Sequence, residues 1–117
     1  MSGALKSLVA TQFLTTAVST YYTAPQSVGN SVTAVHSFIL ANQDSAAHLV
    51  TLYNVPSGGS ASNGNKILAA VSLPANTTWI GKYADEPIVV IPGGGTLQAL
   101  ADANSVVTLT VGGKEYV

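Results

Sequence analysis

Apolar and polar positions alternate with a period of two along most of this chain. The longest case is residues 31–42. Val32, Ala34, His36, Phe38 and Leu40 fall on one side, and Thr33, Val35, Ser37, Ile39 and Ala41 on the other, because successive side chains of a strand point to opposite faces. Neither side is polar throughout. Residues 46–55 repeat this two-faced character, with Leu49, Tyr53 and Val55 on one side and Val50 and Leu52 on the other. In residues 66–73 Ile67, Ala69, Val71 and Leu73 alternate before Pro74, which favours a strand over a helical turn. Residues 105–111 alternate cleanly. Further strands are predicted over 13–23, 77–84 (with Trp79 and Ile80 on opposite faces), 88–91 as a wholly apolar core strand, and 96–101. Gly, Pro, Asn and Asp punctuate these runs at 25–30, 42–45, 74–76, 85–87, 92–95 and 102–104. The four-residue turn at 42–45 predicts a hairpin that would set His36 opposite the neighbourhood of Tyr53. Gly112 and Gly113 read as a bend into a short terminal piece.

Short strands at about ten-residue spacing predict an all-β fold: an antiparallel β-sandwich of about eight strands, jelly-roll or immunoglobulin-like. The length of 117 residues suits one domain, 1–117. Residues 1–12 are mixed, and Leu5, Leu8 and Val9 would suit only a short helix, too short to stand alone. Residues 1–12 are therefore expected to form an extended N-terminal arm that orders on a partner or along the sheet.

Composition changes the picture in one respect. Charged residues make up 8% of the chain, against about 25% in a typical soluble domain. Four lysines, no arginine and a net charge of −1 leave no electrostatic footprint for nucleic acid. No apolar run has the length of a signal peptide or of the ~20 residues of a membrane helix. The chain has no cysteine, so disulfides and thiolate metal sites are excluded. A weakly charged surface favours association, and strands with two apolar faces imply a second, partner-covered surface. A subunit packed against other subunits is expected, with a compact monomer of hydroxyl-rich surface as the alternative.

Candidate chemistry is sparse. His36 and His48 lack the spacing of a metal site. Of the carboxylates Asp44, Asp85, Glu86, Asp102 and Glu115, four lie in or beside turns, where such side chains cap backbone N–H groups. The loop 56–65 holds three glycines, three serines and two asparagines. It resembles a damaged phosphate loop, but Asn65 follows Gly64 where lysine should stand, and no long helix follows. A G-x-S-x-G elbow is absent. These patterns predict no catalytic residue, no cofactor and no metal. The aromatic residues Tyr21, Tyr22, Tyr53, Tyr83 and Trp79 suit core and sheet packing. The outward member of the Tyr21–Tyr22 pair would be an interface anchor. With Tyr53, Trp79 and the uncharged tip Pro56, Ser57, Gly58 and Gly59, they make up the interface candidates. Trp79 beside the 56–65 loop would also serve a carbohydrate- or receptor-binding sandwich.

Three strings, YYTAP at 21–25, VTLYNVPSGGSASNGNKIL at 50–68 and IPGGGTLQALADANSVVTLTVGG at 91–113, make the chain similar to small bacteriophage virion structural proteins. That resemblance implies a non-enzymatic role in the virion, made in the cytoplasm of a bacterial host, with no site carried at residue level. It implies a capsid decoration or cement protein that sits on the shell as a homo-oligomer, a dimer or trimer, binds the major capsid protein and stabilises the head. In a decoration protein an arm over 1–24 would order on a neighbouring subunit. A tail, neck or baseplate component is the alternative.

Overall fold

The computed structural model describes residues 4–26, 30–82 and 87–116. The period-two alternation is realised in nine strands: β1 (Lys6–Phe13), β2 (Ser19–Thr23), β3 (Val32–Asn42), β4 (His48–Val55), β5 (Lys66–Leu73), β6 (Thr78–Lys82), β7 (Val89–Pro92), β8 (Thr96–Ala101) and β9 (Val107–Tyr116). A 3-10 turn at Asn63–Asn65 is the one helical element among the described residues. Two antiparallel sheets result, one in the order β1-β9-β3-β6 with β7 also on β3, the other in the order β2-β8-β4-β5. β6 pairs with residues 37–41 and β7 with 32–35, so two short strands share one edge of β3.

The pairing is nested: β1 with β9, β2 with β8, β3 with β6 and β7, β4 with β5. This is a long hairpin rolled into two sheets, the jelly-roll order, and it decides against the immunoglobulin-like alternative. The core lies between the sheets. Val35, Phe38, Leu40, Leu109 and Val111 from one sheet meet Val50, Leu52, Leu97, Ala99 and Ala101 from the other, all buried. Fully burying each of the larger side chains contributes roughly 1.5–3 kcal/mol.

Strand positions match the alternation closely, whereas partners do not always. Residues 42–47 do not form a hairpin: β3 and β4 belong to opposite sheets. Both edges of β3 are already taken, by β9 and by β6 with β7. The connection must therefore cross the roughly 10 Å between packed sheets. His36 consequently does not face Tyr53. The run 13–23 is likewise two elements, β1 ending at Phe13 and β2 starting at Ser19. Leu14 sits buried in the crossing, its N–H bonded to Val107 O at 2.8 Å. Residues 6–13 and 19–23, expected in an arm, pair within this chain.

The glycine pair 112–113 does not bend the chain away; β9 continues through it to Tyr116. Val35 pairs with Gly113 and Ser37 with Gly112, leaving His36 as the extra residue of a bulge. A Cβ on Gly113 would lie 2.1 Å from Ala34 O, so the strand passes only because that position is glycine. Residues 88–91 are an edge rather than a buried core strand: Ile91 is buried, but Val90 is exposed. The predicted turn at 27–29, Tyr83 and the corner Asp85-Glu86 lie outside the described residues.

Loops 14–18, 43–47, 74–77 and 102–106 gather at one end of the sandwich. Gln43 N donates to Val106 O at 2.8 Å, Asn76 N to Asp44 O at 3.0 Å, and Thr16 N to Asn104 Oδ1 at 2.9 Å. Asn42 anchors this end. Its buried Nδ2 lies 2.9, 3.0 and 3.1 Å from the carbonyls of Ala46, Leu73 and Pro74, and its Oδ1 accepts from Asp44 N. At the opposite end the glycine turns 56–59 and 92–95 lie side by side. Gly94 adopts φ +83°, and a Cβ there would come 2.8 Å from Ser57 Oγ.

Candidate interaction surface

Alternation that buries one side of each strand leaves the other side outward, and here that side is apolar. On the β1-β9-β3-β6 sheet, Ile39 is the register partner of both Ile80 and Thr110. Thr110 in turn shares a 2.6 Å hydroxyl–hydroxyl hydrogen bond with Thr11 on β1. The row Thr11, Thr110, Ile39, Ile80 therefore crosses the sheet without a charge. The next row is Phe13, Thr108, Ala41 and Thr78. Ile80 is 58% exposed, and Phe13 and Val90 44% each. Ile39 is also at the surface. Single exposed apolar residues need no explanation, but Phe13, Ile39 and Ile80, grouped in two charge-free rows, form a patch suited to a partner; Val90 lies apart, sharing its register partner Ala34 with Lys114.

The residues singled out from sequence fall in different places. Tyr22 is the inward member of its pair and is buried. Its hydroxyl hydrogen-bonds Thr33 Oγ1 at 2.8 Å and donates to a carboxylate oxygen of Glu115, whose other oxygen accepts from Lys6 Nζ at 2.7 Å. Tyr22 is therefore a tie between the sheets and is not a surface anchor. Tyr21 is half-buried against the margin of the core. Tyr53 is half-buried on β4, in register with Gln98 and Lys66. Pro56, Ser57, Gly58 and Gly59 are exposed. They form a tight turn, Gly59 N donating to Pro56 O at 2.9 Å with Gly58 at φ +76°, as a type II turn requires. The rest of the loop is held by Asn65, which accepts from Ser62 N and donates to Ser60 O. The tip is ordered by its own backbone and lies on a different part of the sandwich from the Ile39–Ile80 patch.

Trp79 is half-buried on the inner side of β6, opposite Leu40. Its ring covers Gly81, where a Cβ would come 2.7 Å from the indole. With Phe38, Ile67, Leu68, Ile88 and Val89 it lines a groove of about 450 Å³ where β5 of one sheet approaches β6 and β7 of the other. An indole turned into the gap between sheets is not the outward platform that sugar stacking uses.

Two polar clusters were not anticipated from sequence. In the first, burial and the Glu115 carboxylate push the Tyr22 hydroxyl far above its ordinary range, while Lys6 and then Tyr22 hold Glu115 below its own. In the second, His48 bridges two carboxylates, Nε2 to Asp44 Oδ2 and Nδ1 to Asp102 Oδ1, both at 2.7 Å. Asp44 and then Asp102 raise the His48 pKa, and His48 together with the Ser45 N–H lowers that of Asp44. Asp44 and His48 flank one turn, so half of this cluster was visible as an i, i+4 pair; Asp102 arrives only through the fold. His36 sits in its bulge, on the other sheet. No group of three or more His, Cys, Asp or Glu side chains is placed to hold one metal ion among the described residues.

No protein-family model and no curated protein matches the sequence. Among solved structures, the chain is similar to one in a structure of infectious bursal disease virus, Gx strain, with 11% identity and a TM-score of 0.49. The match covers 96% of this chain and 30% of that one, so this chain spans under a third of its length.

Proposed function

We propose that this protein is a non-enzymatic structural component of a virion that docks through the outer face of its β1-β9-β3-β6 sheet. The observation that carries the reading is the patch on that face: Phe13, Ile39 and Ile80 exposed among threonines, in a chain only 8% charged. Desolvating such a surface incurs little of the penalty attached to burying charges, whereas leaving it in water invites association. The jelly-roll order is compatible, since capsid proteins are among its users, although a fold alone does not assign a function. Resemblance to small phage virion proteins supports a capsid decoration or cement role, as an oligomer bound to the major capsid protein. A tail or baseplate position is the second placement. A sugar-binding role has less support, because Trp79 faces the groove.

Gold-labelled antibody on purified particles tests the proposal. Label over heads, together with heads that burst at lower temperature when the protein is missing, is the expected result. Label confined to tails would overturn the decoration role. Absence from particles would overturn the virion role altogether.

A further inference from the structure

We infer that Asp44, His48 and Asp102 form a pH-sensitive latch that fixes the loop end of the sandwich when His48 is protonated and releases it when His48 is neutral. The geometry is that of a double donor. An imidazolium carries N–H on both ring nitrogens, and each meets a carboxylate oxygen at 2.7 Å. A neutral imidazole has one N–H, so its other nitrogen would turn a lone pair toward a carboxylate. One contact then becomes repulsive, and the carboxylate on that side loses its partner. The side chain of His48 is only 12% exposed, whereas Asp44 and Asp102 are 39% and 42% exposed, so the freed carboxylate turns to water and away from the ring.

Release would be felt beyond the three side chains. Asp44 lies in the 43–47 crossing between sheets, and its carbonyl holds Asn76 N of the 74–77 loop. Asp102 opens the 102–106 loop, and its N–H donates to Leu49 O of β4. His48 begins β4 itself, opposite Leu73 of β5. Three loops, the start of β4 and the end of β5 thus meet at one ring. Among the described residues Asp44 and Asp102 are the charged groups that face it: β4 and β5 bring only uncharged neighbours, Leu49 and Leu73. The carboxylates lie on opposite edges of the ring and cannot converge on one ion at either nitrogen, so the cluster is a tether and not a ligand set.

The sign follows from the raised His48 pKa. The latch contributes fully below the ordinary histidine value of 6.5 and is lost as pH rises through the higher folded value. On the acid side it persists until pH falls through the lowered Asp44 value. The test uses the intact chain with His36→Gln, so that one histidine titrates. Ring-proton NMR should place the His48 midpoint above 6.5, falling in Asp102→Asn and in Asp44→Asn. Amide exchange of Asp44, Ser45, Asn76 and Asp102, corrected for intrinsic base catalysis, should quicken several-fold across that midpoint. It should show no such step in His48→Gln. A midpoint at or below 6.5, or protection at these amides that does not change across the midpoint, overturns the latch. If His48→Gln does not fold, Asp102→Asn serves in its place, and an exchange step unchanged from the parent would be equally fatal.

Discussion

The two ends of this sandwich are closed by different physics. At one, Tyr22 crosses from β2 to reach Thr33 and Glu115 on the opposite sheet, with Lys6 completing the cluster. At the other, His48 holds Asp44 and Asp102, and Asn42 gathers three carbonyls. The first end depends on a buried phenol and a carboxylate held ionised; the second on a ring whose pKa two flanking carboxylates raise. All three described carboxylates, Asp44, Asp102 and Glu115, are engaged at these ends. The described carboxylates thus serve to fix the ends, and the rows through Ile39 and Ala41 between them carry no charge.

The largest effect should come from Asn42→Leu. Three carbonyls and the Asp44 N–H would lose their partner in a buried site, and each orphaned group costs about 1–3 kcal/mol, partly relieved by relaxation. A loss of about 3 kcal/mol in denaturant unfolding is expected, confined to the His48 end in amide exchange. A loss under 1 kcal/mol, on the scale of ordinary surface changes, would mean that water reaches those carbonyls and that this end is not sealed. Tyr22→Phe comes next. The ring still packs, but Thr33 and Glu115 lose the hydroxyl, for about 2 kcal/mol. Amide protection should fall at Thr33 and Glu115 and not at Asp44, and the reverse pattern would dissolve the distinction between the ends.

A smaller effect, of opposite sign, is expected at neither end. Ala70 adopts φ +50° in a bulge of β5, its N–H bonded to Thr51 Oγ1 at 3.2 Å. Ala70→Gly should relieve about 1 kcal/mol of left-handed strain, less the extra chain entropy of glycine, so a small rise in melting temperature is expected. A fall would show that the backbone there is not strained. Smallest of all is Lys6→Met. Lys6 is half exposed, and such pairs contribute about 0–1 kcal/mol. The change should be marginal and shrink further in 1 M salt, where about 3 Å screening mutes surface pairs.

Much of the fold was legible. Residues 66–73 and 96–101 match β5 and β8 end to end, and 31–42 differs from β3 by one residue, because period-two alternation is set locally. Partners were less legible. A short polar segment such as 42–47 looks the same whether it turns a hairpin or crosses between sheets, and only the occupancy of both edges of β3 decides. Gly112-Gly113 carries a turn signal, yet the same absence of Cβ serves a close backbone approach inside β9. Candidate surface residues divided in the same way. The two-faced character of 31–42 pointed to the face that carries Ile39, while Tyr22 went inward. Ile80 was read as one side of its strand, but its pairing with Ile39 needed the register.

The central claim is that the charge-free rows around Ile39 and Ile80 are a docking surface. It is tested most directly by co-sedimenting wild-type protein and the double variant Ile39→Lys/Ile80→Lys with virions stripped of the protein. Both positions are at the surface, so circular dichroism should be unchanged and the melting temperature should fall only slightly, from repulsion between the two register-paired lysines. Rebinding by wild type and a loss of on the order of 30-fold or more in the variant is the expected result, since burying charge at an interface centre costs about 2 kcal/mol or more. Equal binding by the two proteins would contradict the claim.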